Sequence, residues 1–382
     1  MPHRLPRRSS TWAASVAQPI HQVEELHSVP YLPALGESPV INTARPAVLL
    51  TTFVIAICAT TEAAELVRLA PSRVIELGES RGTAAVVSGV ALSPDGQRLA
   101  AACDDHAVRL WDMRTHELLH VLRGHTDWVR SVAFSSDGTH LASAGSDRSV
   151  VIWDVTTGAR VRQLPNSPQA IFDLCFEPGG TRLVAGGFCD EITVYDTSRG
   201  EIARTLNGPC QDLRALAMSP DGRLLAAAGR NGKIRVWDFN SGETVADIPA
   251  HPRRIHTLVF SPDGALLASA GDSQQVHLHS TTDWQPVRTL TYESAKTLTL
   301  EFTDEQNLLT GGTDNLIRQW DLTTGEPRRL LVGHTGTVAA LSWHRPTGTL
   351  ISGSFDTTVR IWQLKPLEVD ETAALPPTPT TR

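Results

Sequence analysis

The sequence predicts an all-β fold in which seven four-stranded units close into a ring, a seven-bladed β-propeller whose last blade is completed by an N-terminal strand. Three observations predict it. One position recurs as Trp111, Trp153, Tyr195, Trp237, His279, Trp320 and Trp362, at intervals of 42, 42, 42, 42, 41 and 42 residues. A run of small residues precedes each of these positions, as in Leu99 to Ala102 or Leu225 to Ala228. A Ser-Pro-Asp-Gly type of turn comes before that run, with an apolar stretch ahead of it. A fixed period of this length marks units that each form one small sheet and cannot bury both faces alone, so they must stack on their neighbours.

The elements follow in order. Arg73 to Leu77 matches the stretch behind each Trp-Asp position, such as Glu117 to Leu122 and Arg160 to Leu164. The last repeat stops near Leu364 without its own copy, so the N-terminal run is expected to supply the missing outer strand. A closed ring leaves only short, protected edges. The first hairpin of each unit turns on Ser93 to Gly96, Ser135 to Gly138, Glu177 to Gly180, Ser219 to Gly222 and Ser261 to Gly264. In four of these turns Asp bonds nearby backbone, and in all five Gly takes positive φ. Thr303 to Asn307 and His344 to Gly348 depart from the pattern and are expected to be irregular. Second strands are slim (Ala100, Ala142, Ala226, Ala268) and third strands bulkier, as a wedge tapering toward an axis requires.

On the terminal Trp-Asp, the spacing and the turn chemistry, the chain resembles the WD40-repeat family over about three-quarters of its length. That resemblance implies a hydrogen-bonded chain of His, Ser or Thr, Asp and Trp inside each blade. The full set occurs twice, as His125, Ser143, Asp147, Trp153 and as His334, Ser352, Asp356, Trp362. Indole N–H only donates, so it needs the hydroxyl, and the imidazole links hydroxyl to carboxylate. The Ser-His-Asp portion resembles a hydrolase triad on paper, but the hydroxyl's other partner is a Trp, so a structural role is expected.

Elsewhere the set is incomplete. Blade 1 keeps Asp105 and Trp111 but has Ala101, and blade 6 keeps Thr310, Asp314 and Trp320. Blade 4 pairs Trp237 with Asn231, and blade 3 keeps only Tyr195. In blade 5, His251 and Ser269 remain while His279 takes the Trp position. Its imidazole is read as a substitute for the indole N–H. The sharper alternative is a metal site from His251, His277 and His279, since 277 and 279 share one strand face.

The 382 residues carry a net charge of −7 without blocks of like charge, so no nucleic-acid partner is expected. Five cysteines (Cys58, Cys103, Cys175, Cys189, Cys210) show no Cys-x-x-Cys pair and no zinc spacing. Cys189 and Cys210 fall in turns at one end of the ring, where a disulfide is conceivable if the chain is exported. Residues 1–46 read as a disordered Pro- and Arg-containing leader, and 365–382 as a disordered Pro/Thr tail. Residues 47–64 hold an uncharged apolar run, the layout of a signal peptide or signal anchor displaced from Met1. This leads to the expectation of an exported or membrane-anchored protein, with a cytoplasmic one as the alternative, around a propeller of residues 70–364.

No other motif carries chemistry, and no cofactor is expected. The family resemblance implies docking on the face that carries the His and Asp turns. Trp128, Arg230, Arg253, Arg254, Lys296 and Phe355 lie there without a core role, and Trp and Arg dominate binding hot spots. The expectation is a non-catalytic interaction scaffold for a protein or peptide, with an acidic peptide favoured by the basic residues. The alternative is a small ligand, a metal or catalysis in the central channel or the blade 5 His cluster. The inner strands argue against it, being mostly Val, Ala, Leu and Phe with Glu301 and Asp173 as isolated exceptions.

Overall fold

Every blade begins with a strand on the central axis and steps outward by hairpins, because each apolar run is followed by a turn within six residues. The computed structural model describes residues 66–364 apart from 78, 81, 82, 293 and 294. Blade 1 runs Val87–Leu92, Arg98–Cys103, Ala107–Asp112 and Leu118–Arg123, all antiparallel. Blades 2 to 5 repeat this order, starting at Val129, Ile171, Leu213 and Ile255. Blade 6 starts at Thr297 and blade 7 at Val338. Blade 7 supplies three strands of its own, and Arg73–Glu76 pairs antiparallel with Thr358–Gln363 as its outer strand, placing Arg73 against Ile361.

One strand departs from the sequence expectation. Val67–Leu69 adds to the outer edge of blade 6, parallel to Pro327–Leu331, and makes that sheet five-stranded. Three residues have no measurable alternation, and parallel pairing needs no turn signal nearby, so nothing in Val-Arg-Leu announces it.

The core is distributed rather than central. Each of seven apolar clusters fills the seam between two adjacent blades. The seam that closes the ring joins Ile351, Val359 and Ile361 of blade 7 to Val87, Leu99 and Trp111 of blade 1. On the far face the same seam is pinned by His344, whose Nε2 lies 3.1 Å from the Pro94 carbonyl. Gly96 sits beneath that imidazole at φ +68°, and a Cβ there would strike the ring. The blade 7 turn is irregular, a 3-10 turn at Arg345–Thr347 ended by Gly348 in the left-handed region. In blade 6, Thr303 N–H closes its turn on Asn307 O at 3.0 Å.

Residues 1–65 and 365–382 lie outside the described residues, so the expectations for the leader, the apolar segment 47–64 and the tail rest on sequence alone. Among the described residues no helix is long and apolar enough to cross a membrane. The thiols of Cys103, Cys175, Cys189 and Cys210 are free, and the contemplated Cys189–Cys210 bridge is not formed.

Candidate functional site

The loops entering the inner strands are fixed by glycines. Gly145, Gly271 and Gly312 end the second strands of blades 2, 5 and 6, where a side chain would strike the carbonyls of Trp128, Arg254 and Lys296. The close approach lets Ser146, Asp272 and Thr313 N–H bond those carbonyls at 2.8, 2.9 and 3.1 Å. Trp128, Arg254 and Lys296 are thereby held at one end of the ring. Trp128, Arg230, Arg253, Lys296 and Phe355 are exposed there and Arg254 is half-buried.

The tetrads lie just beneath this face. In blade 2, Trp153 Nε1 donates to Ser143 Oγ at 2.8 Å, and His125 Nε2 meets the same oxygen at 2.7 Å. His125 Nδ1 lies 2.9 Å from Asp147 Oδ2. Blade 7 repeats the chain through Trp362, Ser352, His334 and Asp356 at 2.9, 2.7 and 2.9 Å. Burial opposes ionisation of Asp147 and Asp356, yet hydrogen bonds from histidine, backbone and neighbouring hydroxyls win and hold both carboxyls well below the usual range. Ser143 and Ser352 are fully buried, so no substrate reaches either hydroxyl. These sets also fix the turns that carry the histidines, since Thr126 and Thr335 N–H donate to the same carboxylates.

Two blades repair a missing His by a means not anticipated. Arg109 reaches back from the third strand of blade 1 and binds Asp105 at 2.6 and 3.0 Å. Arg318 does the same to Asp314 in blade 6. The signal was present as Asp-x-x-x-Arg, four residues apart, and Asp356 with Arg360 shares it. In blade 6 Trp320 Nε1 still donates to Thr310 at 3.0 Å. Tyr195 of blade 3 instead donates to the Pro165 carbonyl at 3.1 Å.

Blade 5 corrects two readings. His279 does not replace the indole link; Ser269 Oγ donates to the His277 carbonyl at 3.4 Å, and His279 Nδ1 is buried without a partner. An imidazole is shorter than an indole and stops short of the hydroxyl. His251, His277 and His279 do not form a metal site either. Both nitrogens of His251 are taken by Ser269 and Ser273, at 2.9 and 2.6 Å, and His277 meets it edge-on. No group of His, Cys, Asp or Glu among the described residues could hold a metal ion. Burial lowers all three imidazoles, His251 to about 3, so they stay neutral together.

At the mouth of the central channel, weighed above only as an alternative, sequence reasoning missed the individual residues. One residue into each inner strand, the blades contribute Ser88, Arg130, Phe172, Arg214, His256, Leu298 and Ala339 around a cavity of about 330 Å³ that Phe355 also lines. These positions recur at intervals of 42 residues, 41 at the last, but the interval alone does not say that their side chains meet. Arg130 and Arg214 both lie over the Phe172 ring, at 4.8 and 3.7 Å from its centroid. Arg130 also covers Trp128 at 4.5 Å, and Arg214 covers Phe188 at 4.8 Å. Asp212 ties Arg214 to Arg254, while Asp272 ties His256 to Lys296. One step deeper, Asp173 accepts bonds from Ser131 Oγ, Leu174 N and Leu216 N and so staples blades 2, 3 and 4. Burial outweighs those donors and lifts its carboxyl to about 6.

Comparison with known proteins agrees with this architecture. The family model described as "WD domain, G-beta repeat" matches residues 75–112, 116–154, 200–238, 242–280 and 325–363, about half of the chain. The gaps hold Tyr195 and the irregular turn of blade 6. The chain is 47% identical over 55 residues to "Probable coatomer subunit beta'" of Schizosaccharomyces pombe, which covers 14% of this chain and 7% of that protein. It is 42% identical over 55 residues to "U3 snoRNP-associated protein-like EMB2271" of Arabidopsis thaliana, 14% of this chain and 12% of that one. It is 43% identical over 56 residues to "THO complex subunit 6 homolog" of Danio rerio, 15% and 17%. The chain therefore matches only a small part of each relative's length. With seven blades, two complete tetrads and five matched repeats, the chain belongs to the WD40-repeat family.

Proposed function

We propose that the ring is a non-catalytic interaction scaffold that docks a protein or peptide on the face around the channel mouth, and that this partner is acidic. The observation that carries the reading is the company kept by two exposed aromatics. Trp128 and Phe355 stand on the end of the ring that also presents Arg230, Arg253, Arg254 and Lys296. Exposed aromatics are costly to leave in water and, beside arginine, supply the anchors of binding surfaces. The tetrads beneath give that surface a rigid base. The relatives' names as subunits or associates of larger complexes support a scaffold role. The reading does not depend on residues 47–64.

Trp128→Ala and Arg254→Glu, each compared with the parent in affinity capture from native cells, test it. Loss of a shared partner in both variants, with both still folded by circular dichroism, is the expected result. Retention of every partner in both rejects this face as the docking surface.

A further inference from the structure

The channel mouth holds more positive charge than its own carboxylates neutralise. Arg214 and Arg254 share Asp212, and His256 and Lys296 share Asp272. Arg130 has no carboxylate within ion-pair distance among the described residues; its Nε donates to Ser146 Oγ at 3.1 Å instead. Arg130 and Arg214 flank one phenyl ring, so two like charges are held close without an anion between them. Burial and the Arg214 charge both disfavour the Arg130 cation, and the charge of Asp127 offsets only part of this. Asp173 sits deeper, and its oxygens are already engaged by donors from three blades.

Contact with the Phe172 ring also restrains the free donors. A guanidinium lying flat on an aromatic ring keeps its N–H groups at its edge, the geometry that receives a carboxylate through two parallel bonds. Each arginine spends its Nε, on Ser146 or on Asp212. The Nη groups of both bond no described residue, and both side chains line the cavity of about 330 Å³. That space is ample for one carboxylate side chain, given that a water takes about 30 Å³.

We propose that Arg130 and Arg214 are the anchor of the docking face, gripping a glutamate or aspartate side chain that an acidic partner peptide inserts into the channel mouth between blades 2, 3 and 4. This rests on the docking-face reading and adds the contact point and its chemistry. Phe172 holds both arginines, Trp128 packs on Arg130 and Phe188 on Arg214, and Asp212 keeps Arg214 in place. The anion relieves a repulsion already present in the free protein, so the anchor is specific for negative charge.

Fluorescence anisotropy of the full chain with a labelled oligoglutamate peptide at low salt tests the anchor. Saturable binding is expected for the parent, with affinity down about tenfold or more in Arg130→Gln and an intermediate loss in Arg130→Lys, which keeps charge but not the fork. Arg130 has no acid partner, so its replacement strands no buried carboxylate; it loses the Ser146 bond and two ring contacts, and a folded protein with a melting temperature only a few degrees lower is expected. Arg345→Gln, the same charge change on the opposite face, is expected to bind within about twofold of the parent. Absence of saturable binding by the parent overturns the anchor, as does equal loss in Arg345→Gln or full binding by Arg130→Gln. These results are separable from the docking-face test: loss of a native partner in Trp128→Ala and Arg254→Glu, beside intact oligoglutamate binding in Arg130→Gln, keeps the face and removes the anchor.

Discussion

The guanidinium of Arg214 lies 3.7 Å from the centroid of the Phe172 ring, and the same ring meets Phe188 edge-on at 4.7 Å. These side chains come from blades 3 and 4, so the stack joins two blades at the channel mouth. A cation over a partly desolvated aromatic face contributes about 0.5–2 kcal/mol. Phe172→Leu keeps apolar volume and removes the quadrupole. A double-mutant cycle with Arg214→Gln is expected to give a coupling of about 1 kcal/mol by urea unfolding. Additive effects would show that the two merely share a neighbourhood.

Ser143 is the node of the blade 2 tetrad, since both Trp153 Nε1 and His125 Nε2 end on its hydroxyl. Ser143→Ala strands two buried nitrogens, each costing about 1–3 kcal/mol when left unpaired. Ser269→Ala in blade 5 strands only His251 Nε2, because His279 never reached that hydroxyl. The expected order of destabilisation is therefore Ser143→Ala well above Ser269→Ala. The same logic makes blades 2 and 7 the slowest to open. Hydrogen exchange is expected to protect their second strands more than those of blades 3 and 4.

Ring architecture and blade order were legible because they are written seven times, and a local departure such as Tyr195 cannot erase a 42-residue interval. The polar sets were legible where all four members were present. Substitutes were not, because replacing one partner changes reach. His279 supplies the right kind of N–H but ends too far from Ser269, whereas Arg109 is long enough to act from the third strand. The channel mouth was hidden for a different reason. Arg130, Phe172 and Arg214 lie 42 residues apart on strands that read as apolar, and only the stacking of blades 2, 3 and 4 brings them together. Pairwise distance around a closed ring is a tertiary quantity, invisible to a period.

Arg109 and Asp105 form the most enclosed arginine–carboxylate pair that replaces a tetrad, with side chains 6% and 7% exposed. The equivalent Arg318 and Asp314 are 18% and 21% exposed. Removing one partner from a buried pair costs about 3–5 kcal/mol, and much less where water can reach. Arg109→Met is expected to lower stability by several times more than Arg318→Met. Comparable losses in urea denaturation would mean that water reaches both sites equally.

Glu301 occupies an inner-strand position that the other blades fill with Ala91, Ala133, Cys175, Ala217, Val259 and Ser342. Burial alone pushes its carboxyl up to about 8 from an ordinary 4.5. Because the folded value is raised, the protonated form favours folding. Its contribution is complete below pH 4.5 and is lost as pH rises toward 8. For a fully buried carboxyl, each tenfold weakening of its acidity corresponds to about 1.4 kcal/mol. Glu301 is only half-buried, so solvent screens part of this. Glu301→Gln keeps the shape and cannot ionise. Its stability gain over the parent is expected to be near zero at about pH 4.5 and about 1–3 kcal/mol at about pH 8, read as a widening gap in urea midpoints. A gap that stays constant across that range would mean that Glu301 is already ionised in the folded ring and that water solvates it fully.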